Sequence, residues 1–210
     1  KTDENFGSIR KLRLSPGSYT IVAVAHKASS TESEAPIITS PTSATIPESY
    51  ADDIYACTTS VTINANEFEK KTVNMTLNLC LTSAKVHTKD PLPKEVKKFK
   101  MTVNEGKSPF TSLTFNPATG VALSDASYSR TFDVSSITGK TVTVTVKALL
   151  NEYPKFVSIK VSALDADNVE LYSRQFDNIE LNRAKERLIN TNLFTDGIDS
   201  DMSFEEWGSD

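Results

Sequence analysis

The sequence predicts an all-β protein built from two tandem antiparallel β-sandwich units. Apolar and polar residues alternate along much of the 210-residue chain, which is the two-residue period of half-buried strands. Turn signals separate the predicted strands at intervals of roughly 8–12 residues, a spacing typical of sandwiches. A proline-punctuated stretch between Thr82 and Pro93 divides the pattern. We therefore predict an N-terminal domain at residues 1–86 and a C-terminal domain at residues 87–210.

The N-terminal half begins with a Pro-Gly turn followed by the strand Ser18–His26. Its apolar residues fall on both faces, as expected of a central strand that is covered on both sides. Residues 27–47 are rich in Ser and Thr and contain three prolines, which indicates a surface connection with one edge strand at Ile37–Ile38. The strand Asp52–Ile63 then turns back into a long strand over Thr72–Thr88, whose alternate apolar residues share one face.

The C-terminal half contains six further segments with the alternation of strands. These are Lys97–Val103, Pro109–Gly120, Ser129–Ser136, Lys140–Leu150, Phe156–Asp167 and Gln175–Leu181. The alternation is strongest in Lys140–Leu150, where the valines lie on one face and the threonines on the other. Antiparallel sandwiches are typically built from strands of this kind.

The pattern near the C-terminus is ambiguous. Residues 182–192 fit a helix with one apolar face, and they fit equally well a turn followed by a strand over Arg187–Phe194. We favour the second interpretation, a hairpin. The acidic tail that follows has no periodicity, so it is either loosely attached or docked through Phe204 and Trp207.

Composition argues against nucleic-acid binding and against a membrane-spanning helix. It does not decide whether the two cysteines form a disulfide. The net charge of −4, without a basic cluster, gives no reason to expect nucleic-acid binding. No apolar run approaches the roughly 20 residues of a membrane-spanning helix. If the neighbouring strands pair with Ala65 opposite Thr72, Cys57 falls opposite Cys80 and a disulfide is geometrically possible. Two buried free thiols fit equally well, and we favour reduced cysteines.

The chemistry-bearing residues do not form a recognisable active site. His26 and His87 lie in or beside predicted strands, and neither has a Cys or carboxylate neighbour at metal-ligand spacing. Nucleophile-elbow, phosphate-loop, dinucleotide and zinc-protease motifs are missing from the sequence. We therefore expect no catalytic residue, no cofactor and no metal site, and a protein that is not an enzyme. The aromatic residues recur at strand spacing, which favours core packing over an exposed sugar-binding platform.

Three phrases of the sequence resemble the fimbrillin superfamily of Bacteroidetes, which contains pilus subunits and their anchor proteins. They are LRLSPGSYTIVAVA (Leu12–Ala25), VNMTLNLCLTSAKVHTKDPLP (Val73–Pro93) and FNPATG (Phe115–Gly120). In and beside these phrases, the family's G-x-Y strand, long interdomain strand and "lP..v" phrase correspond to Gly17-Ser18-Tyr19, Val73–Val86 and Leu92-Pro93…Val96. The closing segment IELNRAKERLINTNLFTDG is similar to the family's terminal hairpin.

The resemblance implies two transthyretin-like β-sandwich domains and assembly by donation of a β-strand between subunits. It also implies a lipid-anchored precursor exported to the outer membrane, with the mature protein on the extracellular face or in the fimbrium. The sequence departs from the family in two ways. Cys80 stands where an arginine is common, and we expect the chain to begin inside the first domain, which would then lack its first strands.

A sandwich that lacks a strand exposes unpaired backbone groups, which a neighbour's extended segment can fill. The candidate assembly edge consists of Leu12, Leu14, Tyr19, Ile21 and Ala23, and the candidate partner contacts are Phe204 and Trp207. We expect a fimbrial subunit or a fimbrial anchor or accessory protein. Its expected partners are other fimbrial subunits, with adhesion to a host protein or glycan as a further expectation. The alternative is a glycan-binding outer-membrane lipoprotein, which would present exposed aromatic rings aligned on one sheet.

Overall fold

The computed structural model describes residues 13–27, 36–46, 53–66, 71–109, 113–137, 139–195 and 200–206. These residues form an all-β structure, as the sequence predicts. The strands are β1 (Gly17–His26), β2 (Ile37–Ser40), β3 (Ser43–Ile46), β4 (Ile54–Ile63), β5 (Asn78–Leu79), β6 (Thr82–Thr88), β7 (Lys98–Val103), β8 (Leu113–Asn116), β9 (Val121–Ala122), β10 (Tyr128–Asp133), β11 (Thr143–Ala148), β12 (Lys155–Leu164), β13 (Glu170–Leu181), β14 (Lys185–Thr191) and β15 (Ser200–Glu206). Within these ranges no helix is long and apolar enough to span a bilayer.

The strands form four sheets. Their strand orders are β1-β4-β5 in sheet A, β2-β3-β8-β9 in sheet B, β11-β6-β14-β15 in sheet C and β10-β7-β12-β13 in sheet D. Among the strand pairs of the described ranges, β6 and β14 run parallel and the others run antiparallel. The parallel pair is a departure from the predicted antiparallel arrangement. A parallel pair needs a long crossover, and β7 to β13 supply it here.

Sheets C and D enclose the main part of the core. In β7 of sheet D, the alternate residues Phe99, Met101 and Val103 are fully buried, and in β11 of sheet C, Val144 and Val146 are buried. Moving a large apolar side chain from water into such a core contributes about 1.5–3 kcal/mol. The alternation in the sequence therefore follows from sheets that pack on one face and meet solvent on the other.

The predicted domain boundary, between residues 86 and 87, falls inside β6. Sheet B combines β2 and β3 with β8 and β9, which come from opposite sides of that boundary. Buried residues from both halves, such as Ile46 and Phe115, belong to one hydrophobic cluster. Separate domains at residues 1–86 and 87–210 thus remain a prediction. In sheet B, strands from the two halves pair with each other.

The predicted long strand over Thr72–Thr88 is confirmed in its second part, as β6, but it is largely wrong before that. Only Asn78–Leu79 pair with β4, and the chain then enters sheet C through β6. Leu79 lies opposite Tyr55, a register offset by three residues from the one that would join the cysteines. Cys57 and Cys80 are therefore free thiols, as favoured from the sequence, and burial raises the pKa of both.

The end of the chain is a pair of strands in sheet C. The preference for a strand after residue 182 is confirmed by β14, but the predicted hairpin is wrong because β13 belongs to sheet D. β14 instead pairs with β6 and with β15. The acidic tail is docked as β15, so the interpretation of a loosely attached tail is wrong for residues 200–206.

Candidate assembly surface

β1 is the outer strand of sheet A, with β4 as its partner. The direction of its free backbone groups follows from one hydrogen bond. Lys27, directly after β1, donates its backbone N–H to the carbonyl oxygen of Asp53 at 2.9 Å, so the backbone groups of Lys27 point toward β4. Successive residues of a strand direct these groups to opposite sides. The N–H and C=O groups that point away from β4 therefore belong to Ser18, Thr20, Val22, Val24 and His26.

A second hydrogen bond confirms this direction independently. Ile54 lies opposite His26, and its carbonyl oxygen accepts a hydrogen bond from the backbone N–H of Cys80 at 2.8 Å, on the side of β4 that faces β5. His26 and Ile54 therefore form a non-hydrogen-bonded pair, and the backbone N–H and C=O groups of His26 point away from β4. In the described part of the chain, the outer side of β1 faces no other strand.

The open edge of β1 lacks the features that normally protect an edge strand. Proteins blunt such edges with charged residues, prolines, bulges or short strands. β1 has ten residues without a charged side chain or proline, and its register with β4 is continuous. The other long edge strands of the described sheets, β10, β11, β13 and β15, all carry charged residues. β1 is thus the edge best suited to accept a strand from another chain.

The candidate edge residues Tyr19, Ile21 and Ala23 lie on one face of β1 and are half-buried. Leu14 is 42% exposed just before the strand, and Leu12 lies outside the described residues. The Tyr19 hydroxyl donates to the carbonyl oxygen of Ser15 at 2.6 Å, which holds the preceding turn against the strand. The prediction of a central, doubly covered β1 is wrong for the part of the chain that the structure describes, where β1 has one strand neighbour and no fully buried residue.

The candidate contact residue Phe204 lies on β15, at the edge of sheet C. The Arg187 guanidinium stands over its ring, 4.3 Å from the centroid, a cation–π arrangement. Phe204 is 38% exposed, as is Met202 on the same face of the strand. Trp207 lies outside the described residues. The structure therefore docks Phe204 on the molecule's own arginine, and its contact with a partner stays a prediction.

Asp90 holds the segment that leads from β14 to β15. Its buried carboxylate accepts backbone N–H bonds from Leu193 at 3.0 Å, Phe194 at 2.7 Å and Thr195 at 3.1 Å. Phe194 in turn packs edge-on against Phe99 of the core, with centroids 6.1 Å apart. We call this arrangement the Asp90 clip. The sequence signal for it is weak, because an Asp before Pro is ordinary in a turn.

Arg183 connects the turn between sheets D and C to sheets A and B. It donates from Nε to the carbonyl oxygen of Leu79 in sheet A at 2.8 Å, and from a terminal nitrogen to Thr119, between the two strands of sheet B, at 2.7 Å. The residue itself lies in the turn between sheets D and C. Its charge also opposes, in part, the rise that burial gives to the pKa of the Cys80 thiol. Sequence reasoning did not identify Arg183, since nothing local distinguishes it from a surface arginine.

Across the described ranges, no group of three or more His, Cys, Asp or Glu side chains is arranged to hold a metal ion. His87 shares a hydrogen bond with the Thr143 hydroxyl at 2.9 Å on the surface of sheet C, and the Nδ1 atom of His26 is buried without a partner. The exposed aromatic rings of these ranges, Phe156 and Phe204, belong to sheets D and C. The described residues therefore form no aromatic platform on a single sheet.

Comparison with known proteins identifies the family. The family model for fimbrillin-A associated anchor proteins Mfa1 and Mfa2 matches residues 1–207. No curated protein matches the sequence. A solved structure of a candidate cell adhesion protein from Bacteroides ovatus is 13% identical with a TM-score of 0.53, over 94% of this chain and 71% of that one. A candidate adhesin from the same species is 11% identical with a TM-score of 0.50, over 77% and 65% of the two chains.

The fimbrial anchor protein Mfa2 from Porphyromonas gingivalis is 14% identical with a TM-score of 0.45, over 92% of this chain and 76% of that one. At these identities, a TM-score of 0.50 or more shows a shared fold. The family match spans nearly the whole chain and confirms the predicted fimbrillin relationship. The chain belongs to the family of fimbrillin-A associated anchor proteins Mfa1 and Mfa2.

Proposed function

We propose that this protein is a non-enzymatic fimbrial anchor or accessory subunit that accepts a β-strand from a neighbouring fimbrial subunit along β1. The observation that carries the proposal is the ten-residue, uncharged and continuous open edge of that strand. Membership of the anchor family supports the choice of a fimbrial partner.

The open edge sets the chemistry of the incoming strand. Each outward-pointing residue of β1 offers one N–H and one C=O, and each backbone bond made there contributes about 0.5–1.5 kcal/mol. A strand added beside Tyr19, Ile21 and Ala23 would place its own alternate side chains on their face, where apolar residues bury the half-exposed surface. The expected donor is therefore an uncharged segment with apolar residues at every second position.

Thr20 provides a selective test because its N–H points to the open side and its side chain is exposed. Thr20→Pro removes an outward N–H and places a ring on the edge, but leaves the hydrogen bonds between β1 and β4 intact. Thr20→Val keeps the N–H and is the matched control. In cells that lack the native gene, we expect wild-type protein and Thr20→Val to retain fimbriae on the surface. Thr20→Pro should release them into the medium.

Circular dichroism and thermal melting of the purified variants establish that Thr20→Pro is folded. Retention of fimbriae by a folded Thr20→Pro protein at the wild-type level would rule out strand acceptance at β1. Release of fimbriae on deletion of the gene, without any difference between the Thr20 variants, would keep the anchor role and reject its proposed edge.

We further propose two transthyretin-like domains, and a lipid-anchored precursor that places the mature protein on the outer face of the outer membrane. The family relationship supports both proposals. Labelling of cells with a radioactive fatty acid, followed by protease treatment of intact cells, tests the anchor. The protein should carry the label and be cut from outside. An unlabelled or protected protein would contradict this location.

A further inference from the structure

The segment Thr72–Leu77 has the sequence of a strand, but no strand pairs with it in the described part of the chain. The segment is uncharged, and Val73, Met75 and Leu77 alternate with polar residues, which is the period of a half-buried strand. Pairing with β4 begins only at the next two residues, Asn78–Leu79. We call Thr72–Leu77 the latent strand.

Both ends of the latent strand are held against β4. At its C-terminal end, Asn78 lies opposite Ala56. Before its N-terminal end, the Lys71 ammonium donates to the backbone carbonyl oxygen of Thr62 at 2.9 Å. Residues 71–77 contain no turn or bend, so the chain between these two contacts runs extended beside β4.

The register of β5 continues naturally along the latent strand. Since Asn78 lies opposite Ala56, the same register places Lys71 opposite Ile63. Ile63 is the direct neighbour of Thr62, whose carbonyl oxygen Lys71 binds in the structure. The observed lysine contact therefore lies where an antiparallel ladder along the latent strand would end.

The side of β4 that faces the latent strand offers backbone groups for such a ladder. The backbone N–H of Cys80 donates to the carbonyl oxygen of Ile54 at 2.8 Å, so alternate residues of β4, counted from Ile54, direct their backbone groups to this side. Beyond the stretch that pairs with β5, these residues are Thr58, Ser60 and Thr62. In the ranges that the structure describes, no strand pairs with them from this side.

We propose that the latent strand closes onto β4 and completes sheet A as a third strand. In the closed form, Asn74 would exchange backbone hydrogen bonds with Ser60, and Thr76 with Thr58. The segment is already extended and held at both ends, so closure costs less conformational entropy than it would for a free segment. Leu77, which is 41% exposed, would gain β4 as a neighbour.

Closure would stiffen the strand that is proposed to accept a donor. Along residues 17–23, β1 and β4 form a two-stranded ribbon in the described part of the chain, and such ribbons are only marginally stable. The closed register would place Met75 in one row with Thr59 of β4 and Ile21 of β1, which extends the apolar face of sheet A across three strands. This consequence rests on the proposed function, whereas closure is measured without a partner and holds or fails independently of the Thr20 variants.

Hydrogen exchange of the ¹⁵N-labelled wild-type protein, followed by NMR, tests closure directly. The amides of Asn74 and Thr76 would point toward β4, and those of Val73, Met75 and Leu77 would point away from it. After correction for intrinsic rates, we expect exchange at the first two to be about tenfold slower than at the other three, which corresponds to a strand closed about nine-tenths of the time. Equal protection of all five amides would overturn the proposal.

A pair of cysteines tests the register. In the closed form Thr59 and Met75 are a non-hydrogen-bonded pair, whose Cα separation of about 4.5 Å suits a disulfide. Thr59→Cys with Met75→Cys, in a Cys57→Ala background, should therefore oxidise to a crosslinked monomer. The matched control, Thr59→Cys with Leu77→Cys, places the cysteines on the same face about 7–8 Å apart, and it should oxidise about tenfold more slowly. Equal rates for the two pairs, or faster oxidation of the control, would overturn the proposal.

Discussion

Replacement of the buried Asp90 by alanine should strongly destabilise the segment that leads from β14 to β15. The carboxylate accepts bonds from three successive backbone N–H groups and is buried. A hydrogen bond to a charged group contributes about 1.5–3 kcal/mol, and a buried donor left without a partner loses a similar amount. Such effects are not additive, and water reaches half-buried Phe194. We expect Asp90→Ala to lower the free energy of unfolding by about 3–5 kcal/mol.

Asp90→Asn removes the charge but keeps the size of the side chain, so it shows how much of the stabilisation depends on the charge. The amide keeps one oxygen acceptor, but its NH₂ group faces an N–H donor, so about half of the loss of stability, roughly 1.5–2.5 kcal/mol, should remain. Urea unfolding followed by circular dichroism measures both variants. The control is Asp167→Ala, an exposed aspartate in the turn between β12 and β13, which should change stability by less than about 0.5 kcal/mol.

Hydrogen exchange locates the effect. Because residues 193–195 lead into β15, the amides of β15 should exchange faster in Asp90→Ala, while those of β7 should follow only the global loss of stability. A stability of Asp90→Ala within about 1 kcal/mol of wild type would refute the reasoning. Equal acceleration in β7 and β15 would refute the idea that the clip acts locally.

Two further predictions concern buried polar contacts. Gly120→Ala should lower the free energy of unfolding by about 1–3 kcal/mol more than Gly139→Ala does. Both glycines have positive φ, so the backbone strain is shared. Only at Gly120 would the new methyl group meet the Arg183 guanidinium, at 2.6 Å, and break the hydrogen bonds of Arg183 to two carbonyl oxygens. Chemical denaturation of both variants measures the difference, and equal losses would contradict a role for Arg183. Burial tends to raise the pKa of Asp125, but the hydrogen bond and charge of Lys155 outweigh it and hold the pKa below the ordinary 3.8. The ionised carboxylate thus stabilises the fold above that pH. The difference in free energy of unfolding between wild type and Asp125→Asn should therefore be constant near neutral pH and should shrink as the pH falls below about 4. A difference that persists at about pH 2 would contradict this.

The strands of the C-terminal half were predictable because their period is local. In β7 and β12 every second residue packs in the core, so the pattern of the sequence is the pattern of burial. β1 was placed wrongly because apolar residues on both faces give the same sequence pattern in a covered central strand and in an open edge strand. The local sequence pattern indicates which side chains are buried, but it does not indicate which other segments bury them.

The candidate surface was only partly predictable for a similar reason. The sequence identified Tyr19, Ile21 and Ala23, which do lie together at an open edge. It missed Asp90 and Arg183, whose partners are 104 residues away in the contacts to Phe194 and Leu79. It also missed the parallel pairing of β6 with β14. Contacts between segments this distant depend on topology, which a single sequence leaves open.

The parallel pairing of β6 and β14 has a mechanical consequence for the anchor role proposed above. A pull arriving from sheet A enters β6 at Thr82. A pull from the C-terminal side first peels β15 from β14, because Glu206 lies opposite Lys185 at the same end of the sheet as Thr82, and it then enters β14 at Thr191. Since Thr191 lies beside Thr88, at the far end of β6, the two forces act on opposite ends of the paired strands. This geometry loads the inter-strand hydrogen bonds in shear, so they must break together and not one after another. The strand pair that the sequence pattern did not reveal is therefore oriented to resist tension along the chain.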